Sequence, residues 1–565
     1  MKIKLLVAFM VFGTLIFGIL NTSRQPAVQA AQKGPAQPQQ GNEAYYPFVA
    51  KGFPTPVPVQ PPVLKWYNKG CYSSWCETGW YSSPAVADLD GDGAMEVVGS
   101  AYSIFALDGA TGNQEWMIRS GHDRSEGTGV SNVGRTWPGI VIVDVDNDGS
   151  KEIVTAHSGG YVSVYNSAGY FKPGWPQRPT TNELRGLSVY DLDHDGTLEI
   201  IVTAAIGSKT NTWVFEHNGA LRSGWPQLNN DTGYAWGVYN ANASAGDLDK
   251  DGDAEIVVPS DVHYICAYDA NGVQLPANTV IYTGRPWWGK VGIWESLDIE
   301  KRGWGACNGV RAESYRTNFA DGPSVIADVN RDGTPEVVVT GNVYDCYAGY
   351  PPSRYIGVYI FNADRTRFNT GGFDWSIAPV DTGAPLVEDY DIIETAEPNP
   401  AVADLDGDGN MEIIYASYDG RLHAFWLDKT EHGNWPYSVY NSAEGVYRFA
   451  SEPTIADLNN DGYAEVIFAS WVQKGTHKTG KLHILDYQGN PLFEVDLSVP
   501  YGSASWNGAL PAPTLADIDS DHELEAVLLT SSSGLVAYDL PGTSQARVLW
   551  GTGRGNYQRS GSIIP

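Results

Sequence analysis

The chain has 565 residues, 42% apolar and 12% aromatic, with 63 Gly, 34 Pro and a formal charge of −30. So acidic a balance argues against a nucleic-acid partner, because no excess of Lys and Arg exists to meet phosphates. The Gly, Pro and aromatic content suits many short strands and tight turns, and no long segment after residue 30 carries a 3.6-residue apolar period.

Residues 1–30 read as an export signal. Lys2 and Lys4 precede an apolar run from Leu5 to Leu20, and Ala27-Val28-Gln29-Ala30 offers small residues for cleavage after Ala30. An uncleaved membrane anchor is the alternative. No second apolar stretch of about 18 residues follows, so cleavage leaves no membrane span. Residues 31–62 are polar and rich in Pro and Gln, a composition that cannot bury a core and predicts an extended tether. Export makes disulfides plausible among the five Cys. Cys71 and Cys76 could close a small loop, Cys307 and Cys346 could pair across neighbouring repeats, and Cys266 would then be left as a buried thiol. Sequence alone does not fix these pairings.

From Val63 onward one phrase organises the chain. It runs Asp, apolar, Asp or Asn, any residue, Asp, usually Gly, two residues, Glu, then an apolar run. The eight copies are Asp88, Asp90, Asp92 and Glu96; Asp144, Asp146, Asp148 and Glu152; Asp191, Asp193, Asp195 and Glu199; Asp247, Asp249, Asp251 and Glu255; Asp328, Asn330, Asp332 and Glu336; Asp404, Asp406, Asp408 and Glu412; Asp457, Asn459, Asp461 and Glu465; and Asp517, Asp519, Asp521 and Glu525. Intervals of roughly 50 to 80 residues mean arrays or propellers. In the first copy a short strand, Ser83 to Ala87, precedes the motif. Strands at Val97–Ser100, Ile104–Leu107 and Gln114–Ile118 follow, separated by turn signals. Four short antiparallel strands per unit, repeated, predict an all-β propeller occupying residues 63–565. Eight motifs favour eight blades, with seven as the alternative. The two long intervals predict insertions at about 283–318 and 341–398.

Asp at alternate positions of a tight turn aims three carboxylates at one point, where they repel unless a cation neutralises them. Calcium takes six to eight oxygens from carboxylates, backbone carbonyls and water. The Gly at the sixth position permits positive φ, so the chain can curl round an ion, and the Glu closes the shell. A single such loop is only an acidic turn, but eight in register claim 30 of the chain's 66 acids. Several structural Ca2+ ions are therefore expected, and eight would bring the formal −30 to −14. The last loop has His522 where the others have Gly, and the loops with Asn330 and Asn459 carry one charge fewer; all three are expected to bind more weakly.

At these residues the chain resembles the FG-GAP and VCBS repeats, related to the β-propeller of integrin α subunits. The resemblance spans about 80 to 540 and implies calcium between the first two strands of each blade. Because family members serve in adhesion, in glycan binding and beside secreted enzymes, it says little about the ligand. A second phrase, Ala106-x-Asp108-x-x-Thr111-Gly112-x-x-x-Trp116, resembles the tryptophan-docking phrase of quinoprotein dehydrogenases. With one copy and no adjacent Cys pair, it reads as a strand-turn-strand whose Trp packs on the next blade.

No nucleophile elbow, zinc-protease helix or phosphate-binding Gly loop occurs, and the ten His are scattered singly. The expected role is a secreted or cell-surface binding or adhesion scaffold for a glycan or an extracellular protein. A calcium-dependent polysaccharide lyase and a passive surface structure are the alternatives. Trp287, Trp288, Trp294 and Trp304, among Arg285, Lys290, Lys301 and Arg302, are the candidate ligand residues, since aromatic faces stack on sugars and basic groups meet carboxylates. A second aromatic cluster holds Tyr344, Tyr347, Tyr350, Tyr355 and Trp375. The C-terminal phrase Trp550 to Gly561 is expected to stabilise ring closure near Val63–Trp66.

Overall fold

The computed structural model describes residues 57–68, 81–127, 129–205, 210–227, 243–260, 264–292, 317–319, 322–343, 355–381, 386–387, 392, 399–501 and 505–563, with the backbone of 71–72 and 75–76. The export signal, most of the tether, Cys307, Cys346, Trp294 and Trp304 lie outside the described residues. Eight antiparallel sheets of three to six strands form a ring, and each carries one copy of the Asp motif. The protein is an eight-bladed β-propeller, so the seven-blade alternative falls.

Each blade begins with a short inner strand that leads into the motif. The residue before the first Asp always pairs with the closing Glu: Ala87 with Glu96, Val143 with Glu152, Tyr190 with Glu199, Gly246 with Glu255, Ala327 with Glu336, Ala403 with Glu412, Ala456 with Glu465 and Ala516 with Glu525. One register therefore sets all eight loops. The second strands, such as Glu96–Ser100 and Glu199–Ala204, are buried along their whole length. Neighbouring blades cover both of their faces, which is why they read as continuous apolar runs rather than alternating ones.

Within the span expected as a second insertion, Tyr355–Asn362 is the third strand of blade 5. Cys266 is a buried thiol in the third strand of blade 4, as expected, and burial pushes its pKa up to about 11. Cys71 sits directly opposite Cys76 in a two-stranded ladder.

Tryptophans join the blades. At the outer edge of one blade an indole N–H donates to a backbone carbonyl in the hairpin turn of the next. Trp66 donates to Gly109 (2.7 Å), Trp175 to His217 (2.9 Å), Trp225 to Ala270 (3.2 Å), Trp288 to Ala363 (2.9 Å), Trp375 to Leu427 (2.9 Å) and Trp435 to Tyr487 (2.9 Å). Trp116 packs on the turn of blade 2, where a Cβ at Gly169 would stand 3.2 Å from its ring. The packing expected of Trp116 is thus one of seven such contacts. Between blades 7 and 8, Phe493 shares an apolar cluster with Tyr538 and Leu540 instead.

Both chain ends close the ring. Val63–Asn68 is the outer strand of blade 8, paired with Gly534–Leu540. The C-terminal phrase does not lie there, which corrects the expectation. Arg547–Trp550 pairs with the inner strand of blade 7 (Thr454–Asp457), and the following residues run along the inner strands. Leu515 donates its N–H to Gly551, Val189 to Gln558, Ala245 to Ser560 and Ile326 to Gly561. The buried Arg559 guanidinium donates to Ile140 (3.0 Å) and Pro84 (2.9 Å). The tail so ties the inner edges of blades 1, 2, 3, 4, 5, 7 and 8.

Candidate functional site

The eight Asp loops all leave the same end of the inner strands and share one hydrogen-bond pattern. The closing Glu turns one oxygen inward, where it accepts the N–H of the loop's second residue. Leu89 donates to Glu96 at 2.7 Å, Val145 to Glu152 at 3.0 Å, Leu192 to Glu199 at 2.8 Å and Leu248 to Glu255 at 2.7 Å. Val329 donates to Glu336 at 3.1 Å, Leu405 to Glu412 at 2.7 Å, Leu458 to Glu465 at 2.8 Å and Ile518 to Glu525 at 2.8 Å. In seven of the loops, all but the one beginning at Asp247, the first Asp also accepts the N–H of the sixth residue, as Gly93 to Asp88 (3.1 Å) and Gly333 to Asp328 (2.7 Å) illustrate. That sixth residue has positive φ throughout, from 86° at Gly333 to 102° at Gly252, and His522 adopts 72° in the last loop. A side chain is strained there, so the eighth loop is the least relaxed.

Burial, with the neighbouring aspartates adding to it, pushes the closing glutamates up: to about 7 at Glu96, about 8 at Glu199, Glu255, Glu336, Glu465 and Glu525, and about 9 at Glu412. Several inward-facing oxygens have no hydrogen-bond partner, namely Asp146 Oδ1, Asp191 Oδ1, Glu199 Oε1, Asp247 Oδ1 and Glu412 Oε1. A buried carboxylate oxygen left so is costly without a counter-charge. The donors are all oxygen and suit a hard cation.

The loops differ in a way the sequence did not reveal. In loop 2 the Lys172 ammonium sits 2.8 Å from Asp146, 3.3 Å from Asp148 and 2.9 Å from Glu152. In loop 3 Arg222 reaches Asp193 at 2.8 Å and Glu199 at 3.5 Å. In loop 8 Lys65 pairs with Asp519 and lies 3.4 Å from Glu525. Arg331 and Arg547 touch only the first Asp of loops 6 and 7, Asp404 (3.0 Å) and Asp457 (2.5 Å). Among the described residues no Lys or Arg forms an ion pair with a carboxylate of loops 1, 4 or 5, although Lys250 of loop 4 donates to the Gly333 carbonyl of loop 5 at 2.6 Å. The ring therefore holds loops whose carboxylates already have a built-in cation and loops whose carboxylates have none.

At the opposite end of the inner strands, the mouth of the central channel holds a small open cleft of about 30 Å³. Tyr81, Trp137, Arg185, Asn399, Glu452, Arg554 and Arg559 line it. Tyr81 stacks on Trp137 at 3.9 Å, and the guanidiniums of Arg135 and Arg185 lie 4.0 and 4.1 Å from the Trp137 ring. Buried Glu452 accepts the Arg554 backbone N–H (2.7 Å) and the Asn399 amide (2.9 Å), and burial raises its pKa. Burial pushes the Arg554 and Arg559 guanidiniums down to about 10. Arg554 Nε and Nη1, Trp137 Nε1 and Asn399 Oδ1 are buried without hydrogen-bond partners. Sequence reasoning missed this cavity because its walls come from the starts of separate blades and from the tail.

The candidate ligand tryptophans fare differently. Trp288 is fully buried in the cluster with Phe361 and serves the blade 4–5 junction, so it is not a surface residue. The physical reason is its indole N–H, which needs the Ala363 carbonyl. Trp287 is half-buried beside it. Trp375 is likewise sealed, at the blade 5–6 junction.

An eight-bladed ring with an acidic hairpin loop in every blade defines a class of repeat propellers. The model of the FG-GAP-like repeat matches residues 144–202 and 404–468, which take in loops 2, 3, 6 and 7. The chain is thus a β-propeller with FG-GAP-like repeats. In structure it is similar to the V. cholerae biofilm matrix protein Bap1, at 14% identity over 89% of this chain and 96% of that one, with a TM-score of 0.39. It is also similar to rhamnogalacturonan lyase YesW, at 15% identity over 85% and 75% of the two chains and a TM-score of 0.45. BamB from Moraxella catarrhalis matches at 13% identity over 81% and 96%, with a TM-score of 0.38. No curated protein matches the chain in sequence. Among the described residues no helix is long and apolar enough to cross a membrane.

Proposed function

We propose that the protein is a calcium-braced binding scaffold, exported from the cell, that takes an acidic glycan at the mouth of its central channel. The observation that carries this reading is Arg554, whose fully buried guanidinium presents Nε and Nη1 without partners to a cavity lined by aromatic rings. A buried guanidinium gains most from a carboxylate, through charge-assisted hydrogen bonds. Trp137 and Tyr81 supply the aromatic faces on which sugar rings stack, and Asn399 and Glu452 accept from hydroxyls. Calcium in the Asp loops, filling the open loops 1, 4 and 5 first, would stiffen the blades that hold these groups. Export rests on the Lys-flanked apolar segment at the N-terminus.

A glycan array probed in millimolar calcium tests the reading. Saturable binding to uronic-acid oligosaccharides, weakened at least tenfold in Trp137→Ala, is expected. Equal binding of neutral and acidic sugars, or unchanged binding by that variant, would refute it. Cleavage of the bound sugar would make the protein an enzyme at the same cavity.

A further inference from the structure

A third cluster of ionisable groups lies inside the propeller, away from both the Asp loops and the channel mouth. Asp381 follows the outer edge of blade 5, where Val380 bridges to Gly357. Asp419 stands in the turn between Glu412–Ala416 and Arg421–Phe425 of blade 6, and His423 lies in the second of these strands. The side chains of Asp381 and His423 are wholly buried and that of Asp419 is 3% exposed. His423 Nε2 is 3.2 Å from Asp419 Oδ2 and 4.0 Å from Asp381 Oδ2. All three atoms lie within 4.8 Å of one another.

The surroundings hold these atoms in place. Glu431 Oε1 lies 3.0 Å from His423 Nδ1 and, as acceptor, takes the proton there. Nε2, on the other side of the ring, faces the oxygens of the two aspartates. Arg421 donates to Asp419 Oδ2 (2.6 Å), the Ile356 N–H to Asp381 Oδ1 (3.1 Å), and the Ser417 hydroxyl to Asp381 Oδ2. A carboxylate on the outer nitrogen of an imidazole is the usual support of a metal-bound His. Tyr415, independently, is fully buried, stacks on His423 at 5.4 Å, and has a hydroxyl without a hydrogen-bond partner in reach of the charges of Asp381, Glu431 and Asp419.

We propose that Asp381, Asp419 and His423 form a mononuclear site for a divalent transition metal, zinc by the chemistry of its donors, with the Tyr415 hydroxyl facing the same centre. Ligands about 2.0–2.2 Å from a tetrahedral zinc stand roughly 3.4 Å apart; the His423–Asp419 spacing of 3.2 Å matches this and the His423–Asp381 spacing of 4.0 Å would have to close slightly. One imidazole with two carboxylates separates this site from the all-oxygen loops. Because Asp381 comes from the end of blade 5 and the others from blade 6, the ion clamps two blades together.

The test is elemental analysis of the full chain, loaded with zinc in saturating calcium and then freed of loosely held metal on a chelating resin. About one zinc per chain is expected in the wild type, and less than a tenth of that in Asp419→Asn and His423→Gln. No zinc in the wild type, or zinc retained by both variants, would overturn the site. X-ray absorption of the wild type keeps the test independent of variant folding. A shell of oxygens with one imidazole supports the assignment; sulfur or several imidazoles would overturn it.

Discussion

Replacing Lys172 by Met tests whether the built-in cations compete with calcium. The ammonium sits 2.8 Å from Asp146 and 2.9 Å from Glu152, among the groups that would ligate an ion. A calcium ion entering loop 2 must displace it or sit beside it. Two unit charges about 4 Å apart interact by about 1 kcal/mol at the dielectric of water, so a divalent ion facing an ammonium loses about 2 kcal/mol. That is roughly a 30-fold loss of affinity, which the Met variant should recover. In chelator the variant loses its ion pairs and gains carboxylate repulsion, so its Tm should fall below wild type. In millimolar calcium the order should reverse or the gap close. Calorimetric titration should show one site tightened by about 30-fold, with the others unmoved. A titration curve that overlays wild type, with the same Tm loss in chelator and in calcium, would refute the reasoning.

Trp435→Phe keeps most of the packing at the blade 6–7 junction but deletes the 2.9 Å hydrogen bond to Tyr487 and leaves a buried carbonyl unpaired. The expected cost is about 1–3 kcal/mol in urea unfolding, and a change within error would show that these indoles act by packing alone. His157 is buried between the hydroxyls of Thr136 (3.1 Å) and Thr155 (2.9 Å), and burial pushes its pKa down to about 3. Above pH 6.5 both folded and unfolded His157 are neutral. Below it only the unfolded chain takes the proton, so stability falls by about 1.4 kcal/mol per pH unit until about pH 3. His157→Gln should flatten the acid limb by that one proton, read as the urea midpoint against pH; parallel curves would count against the assignment. Removing residues 551–565 should lower the Tm by several degrees, because it strips axial hydrogen bonds from most blades, and an unchanged melt would mean that the strand Val63–Asn68 closes the ring unaided.

The Asp loops were legible because everything that builds them is local. The first Asp and the closing Glu are fixed by one hairpin register, so spacing along the chain is spacing in space. Eight repetitions then dictated the ring. Apart from the packing of Trp116, what escaped the sequence was mostly what joins one repeat to another. Trp288 looked like a sugar platform because nothing in its own segment marks the Ala363 carbonyl 75 residues on. Asp419 and His423 stand four apart in one hairpin, a visible signal, yet Asp381 and Glu431 give it meaning only after blades 5 and 6 have packed. Lys172 carried no signal in the sequence, because its reach back to Asp146 depends on the curl of its own blade. The tail was assigned to ring closure, but its residues carry no pattern that separates a rim from an axis.

That axial tail also makes the last stretch of synthesis decisive. All the inner strands that Arg547–Ile563 bridges are already made when it emerges, so through most of translation each blade stands without its partner at the centre. A chain broken off near residue 546 would carry every Asp loop and every inter-blade tryptophan, yet have an open axis. The inner edges that Arg547–Ile563 ties together therefore gain their common partner only after every one of them has been made.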